Sequence, residues 1–121
     1  MLREIPHTRQ VPGEPARRWF SGRALDIVVW HGGDGRVTGF QIEYEVSAAR
    51  RKALTWREGQ GYRHEDLDEG ETEPLRYKES PMMLPDGLLD RDRLLMLLDR
   101  EGGGLDPVLL DFLRNRIAQA P

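Results

Sequence analysis

The densest concentration of ligand-type side chains lies in GYRHEDLDEGETEP, Gly61 to Pro74, where His64 is followed by Glu65, Asp66, Asp68, Glu69, Glu71 and Glu73. Carboxylates and an imidazole at such spacing suggest a bound cation or an activated water. The specific patterns fail when counted. A calcium loop of the EF-hand type needs acidic residues at its first, third and fifth positions, Gly at the sixth and Glu at the twelfth. Started at Asp66, its fifth position is Gly70 and its sixth is Glu71; started at His64, its sixth is Glu69 and its twelfth is Leu75. HEDLD lacks the second histidine of the helical HExxH zinc pattern. His64, Asp66, Asp68 and Glu69 therefore stand as metal candidates without a spacing that favours them. The plainer expectation for residues 64–73 is a solvated acidic connection that discourages edge-to-edge sheet pairing.

Other chemistries find less support. The chain has no cysteine, which removes disulfides, thiolate metal sites and cysteine nucleophiles. There is no GxSxG elbow among its three serines, Ser21, Ser47 and Ser80. HGGDG, His31 to Gly35, joins two expected strands, and EGGG, Glu101 to Gly104, lacks the GK[ST] ending of a phosphate loop. No motif assigns a catalytic residue or a cofactor. Arg17, Arg18, Trp19 and Phe20, with Arg50, Arg51, Lys52 and Trp56, combine charge with stacking surface. The net charge of −3 argues against nucleic acid.

The elements that position these residues are legible from periodicity. With 121 residues, 38% hydrophobic and 32% charged, the chain fits one domain, 1–121, with a heavily charged surface. The first 60 residues carry an excess of three basic groups and the remainder an excess of six acidic ones. Residues 1–16 contain Pro6, Pro12 and Pro15 and are expected to form an extended arm, with a type II turn at Val11–Glu14. An antiparallel sheet of about three to five strands, in a meander, is expected across 17–80. Its clearest strand is Val37–Val46, with Thr38, Phe40, Ile42, Tyr44 and Val46 on one face. Burial is satisfied by setting Leu25 opposite Ile42, Ile27 opposite Phe40 and Val29 opposite Thr38. Lys52–Trp56 pairs next, with Leu54 beside Tyr44 and Trp56 beside Ile42. Arg17–Ser21 is read as a short strand or a turn, and the LRYKES segment near Tyr77 as a weak strand.

A helical pair is expected over 85–120. Asp90 caps the first helix, with Leu94, Leu95 and Leu98 inward; Asp106 and Pro107 open the second, with Leu109, Phe112, Leu113 and Ile117 on one face. Strands first and helices last give an α+β fold with two C-terminal helices packed on one face of the sheet. No apolar run reaches the length that spans a bilayer, the N-terminal residues lack a secretory h-region, and cysteine is absent, so a cytoplasmic protein is expected.

The stretch IPHTRQVPGEPARRWF, together with ALTW and the DG after LP, resembles small uncharacterised bacterial proteins over most of the chain. The resemblance implies a stand-alone bacterial domain and no activity.

On the face opposite the expected core, Asp26, Gln41, Glu43 and Glu45 are joined by Val28, Trp30 and Val37. A solvated face does not ordinarily carry a tryptophan between valines; a second layer or a partner covers it. The leading expectation is a binding or protein-interaction module, self-associating as a homodimer or meeting a protein partner, through a surface including Arg17, Arg18, Trp19, Asp26, Val28 and Trp30. The rival is a small enzyme or metal-binding domain using segment 64–73 with Asp26 or a histidine.

Overall fold

Strict alternation along the chain produces one antiparallel sheet. The structure is a computed structural model, and it describes residues 1–48, 50–68 and 89–121. Its strands are β1 (Arg3–Glu4), β2 (Ala16–Ser21), β3 (Leu25–His31), β4 (Val37–Ser47), β5 (Arg50–Arg57) and β6 (Gly61–Asp68). They follow one another across the sheet in sequence order, as a meander. Two helices complete the chain, α1 (Arg91–Glu101) and α2 (Pro107–Ala118), joined through a short 3-10 turn at Gly102–Gly104. The α+β architecture expected from the pattern is the one observed. Two of its six strands lie where no strand is expected from periodicity. Arg3–Glu4 of the N-terminal arm pairs with Phe20 and Ser21, and Gly61–Asp68 pairs along the whole of β5. The LRYKES segment falls outside the described residues.

The observed register differs by two residues from the one that burial alone suggested. Leu25 faces Tyr44, Ile27 faces Ile42 and Val29 faces Phe40. Across β4 and β5, Leu54 faces Ile42 and Trp56 faces Phe40. A slip of two keeps every side chain on its face, so hydrophobic alternation cannot distinguish the two registers. The turn decides. Gly32 N–H donates to Arg36 O at 2.8 Å and Gly35 N–H to Gly32 O at 2.9 Å, with Gly35 at φ +85°. A residue in that left-handed region closes a three-residue hairpin loop with a bulge, and the register shifts between Trp30 and His31.

One face of the sheet forms the core with both helices. Phe20, Leu25, Ile27, Val29, Phe40, Ile42, Tyr44, Leu54 and Trp56 are buried there against Leu94, Leu97, Leu98, Leu109, Leu113 and Ile117. Asp90 caps α1 as expected, its carboxylate accepting from Arg93 N–H at 3.2 Å. Asp106 occupies the same position on α2 with Pro107 following, but its side chain makes no capping bond. Leu97, rather than Leu95, completes the inward stripe of α1; Leu95 is half-buried. Phe112 on α2 stands edge-on to Trp56 at 5.8 Å between ring centroids, and Tyr62 O–H donates to Arg116 O at 2.7 Å. These contacts fix α2 over β5 and β6.

Candidate interaction face

With the helices on one side, the register defines what the other side presents. Three rows run across β2 to β6. One row carries Ser21, Asp26, Glu43, Ala53 and Glu65; the next carries Trp19, Val28, Gln41, Thr55 and Arg63; the third carries Arg17, Trp30, Gly39, Arg57 and Gly61. Beyond the first row lie Glu45, Arg51 and Leu67. Both described helices pack on the opposite face, and no described element covers this one.

Five of the six residues expected at an interaction surface, Arg17, Trp19, Asp26, Val28 and Trp30, share this face. Arg18 does not. It pairs opposite Val29 on the helix side. There it holds Glu4 through two bonds of 2.8 Å and lies 5.0 Å above the Phe20 ring centroid. The strand alternation of Arg17–Ser21 separates the two arginines. Phe20 and Trp56, the other aromatics near basic residues, are core residues.

Trp30 is only 7% exposed although no described helix covers it. Its indole lies beside Gly39 on β4, where an added Cβ would sit 3.3 Å from Trp30 Cε3 and 2.8 Å from Trp56 O. Arg57, from β5, places its guanidinium 4.0 Å from the indole centroid. Cation–π attraction of this kind contributes about 0.5–1 kcal/mol near a surface. Trp30 is thus covered within its own sheet. Alternation past Trp56 is the signal that puts Arg57 on this face, and Arg57 was missing from the expected set.

Trp19, in contrast, is 41% exposed. It borders a shallow depression of about 300 Å³ with Asp26, Val28, Gln41 and Glu43. Asp26 and Glu43 are direct cross-strand partners, an arrangement that costs stability for like charges. Asp26 is relieved by Ser21 O–H, which donates at 2.6 Å, and by Arg51 Nη2 at 3.4 Å. The face is polarised as a result. Asp26, Glu43, Glu45 and Glu65 gather at one end of the strands, with Arg51 among them; Arg17 and Arg57 lie at the other, and Trp19, Val28 and Arg63 share the row between.

The residues considered for metal chemistry are not brought together. His64 and Asp66 belong to β6, not to a loop, and Asp68 ends that strand. His64 is buried on the helix side, where its Nε2 lies 2.8 Å from the Tyr44 hydroxyl. Asp90 N–H donates to the same hydroxyl at 3.3 Å, which leaves the Tyr44 proton to His64. Burial, with a smaller contribution from Lys52, lowers the His64 pKa to about 4. Burial raises Tyr44 to about 12. A neutral imidazole with its Nε2 held by Tyr44 is an acceptor in a closed polar contact. Asp66 is exposed and lies 3.7 Å from Lys52 and 3.8 Å from Arg50. Glu69 is outside the described residues. Among the described residues no cluster of three or more His, Asp or Glu side chains is arranged to hold a metal ion. Asp26, proposed as a partner for the acidic segment, is on the opposite face of the sheet from His64.

No described helix is long and apolar enough to cross a membrane. The chain matches no family model, no curated protein and no solved structure.

Proposed function

We propose that this chain is a binding module of the bacterial cytoplasm that works by protein–protein association through the open face of its sheet. The carrying observation is the layout of that face: an exposed tryptophan beside a valine, flanked by an acidic end and a basic end. The lack of cysteine fits a reducing compartment.

A second copy of this chain is the occupant that the layout fits. In a two-fold arrangement each surface meets itself, so a face can pair with its copy only if it is self-complementary. A two-fold axis lying between two such sheets, across the strand direction, reverses the strands of one relative to the other. The end bearing Asp26, Glu43 and Glu45 then meets the end bearing Arg17 and Arg57, and Trp19 and Val28 fall near the centre. Aromatic anchors surrounded by charged rims are the usual source of interface affinity.

Sedimentation velocity over a concentration series tests the reading. The native chain is expected to approach twice its 13.9 kDa mass, with Trp19→Asp weakening dimerisation by at least about 30-fold, since anchors contribute about 2 kcal/mol or more. A native monomer at all concentrations, or a variant that dimerises as well as the native chain, would refute it. Trp19 is outside the buried core, and retained near-native melting of the variant separates lost association from lost folding.

A further inference from the structure

A cleft of about 520 Å³ opens where α1 meets the turn between β2 and β3 and the end of β4. Three arginines line it, Arg23 from the turn and Arg93 and Arg100 from one side of α1, together with Glu45 and Glu101. Arg93 and Arg100 are seven residues apart, two helical turns, which sets them on the same helix face. Arg93 Nε donates to Glu45 O at 2.7 Å, fixing the guanidinium plane at the cleft wall. The Nη groups of Arg93, and the whole side chains of Arg23 and Arg100, have no hydrogen bond or ion pair among the described residues.

The scaffold under these arginines is firmly held. Glu101 is buried, and its two carboxylate oxygens accept from Arg23 N–H at 2.8 Å and Ala24 N–H at 3.0 Å. Its charge is therefore spent on backbone donors rather than on a guanidinium. Any side chain at Gly22 would collide with the Glu101 carboxylate. Ala24 O in turn accepts from Glu45 N–H at 3.0 Å. The turn bearing Arg23 is tied in this way to both the helix and the sheet, while its guanidinium remains uncommitted.

We propose that this cleft binds a small oxyanion, a molecule bearing a phosphate or carboxylate group. Guanidinium donors match both groups in bidentate geometry, and the volume lies within the range of small-molecule sites. Arg93 supplies a fixed donor pair; Arg23 and Arg100 close on the anion from either side. The site meets the acidic end of the open face at Glu45, and its test does not depend on self-association.

The test titrates the full chain with inorganic pyrophosphate, and separately with citrate, at constant ionic strength, following backbone and arginine Nε–H signals by NMR. Saturable shifts are expected at Arg23, Ala24, Arg93 and Arg100, and Arg23→Gln combined with Arg100→Gln should weaken binding by at least about tenfold. Both substituted residues are exposed, so the rest of the variant spectrum should be unchanged. Shifts that fail to saturate with either anion, that sodium chloride reproduces, or that persist in the double variant would overturn the proposal.

Discussion

His64 shows how a single residue type changes meaning with its surroundings. In GYRHEDLDEGETEP it reads as a ligand, because the residues around it are acidic. In the fold its strand turns it inward, and the Tyr44 hydroxyl takes up its Nε2. This makes stability depend on acid. An unfolded His64 titrates near 6.5 and the folded one near 4. Between these values the unfolded chain binds a proton that the native chain refuses, so stability falls as pH drops from 6.5 toward 4. Above 6.5 this contribution is complete and constant. Chemical denaturation at pH 7 and pH 5 should show that loss for the native chain and a smaller one for His64→Phe. Tyr44→Phe should cost about 1–3 kcal/mol at pH 7, because it strips the partner from His64 and from Asp90 N–H. Gly39 carries a second residue-scale prediction. Gly39→Ala forces a methyl against Trp56 O and the Trp30 indole, so denaturant unfolding should show a loss of about 1–3 kcal/mol.

At the scale of elements, legibility follows the strength of local signals. β3, β4 and β5 announce themselves by alternation, and both helices by an apolar face preceded by Asp. β6 was hidden because its residues are mostly polar and charged: among the described residues it is an edge strand with one neighbour, and charge at an edge resists pairing with another chain. β1 was hidden because two residues give no period. The register was misplaced by two because burial is indifferent to an even slip, and only the bulge at Trp30 and His31 settles it. The two helix starts look alike in sequence but differ in the fold. Asp90 caps Arg93 N–H with its side chain, and Asp106 makes no such bond. Asp90→Ala should therefore cost about 1 kcal/mol in urea unfolding, while Asp106→Ala costs only a few tenths.

At the scale of the whole molecule, the meander carries both described helices on one side, and no described element covers the other. The candidate face was partly legible: strand alternation alone places Trp19, Asp26, Val28 and Trp30 together. The expected cover for Trp30 was a second layer or a partner, and the structure supplies Arg57 from two strands away instead. That reassigns the centre of the face from Trp30, which is already covered, to Trp19, which is not. The separation of acidic from basic residues could not be read along the chain, because it depends on which strands lie side by side. The measurement that addresses the central claim most directly is an isotope-filtered NOE experiment on an equimolar mixture of labelled and unlabelled chain. Self-association through the open face predicts intermolecular contacts centred on Trp19 and Val28, with Arg57 of one copy near Glu43 of the other. Intermolecular contacts confined to the helices or the β6 edge, or none at concentrations where the mass has doubled, would contradict it.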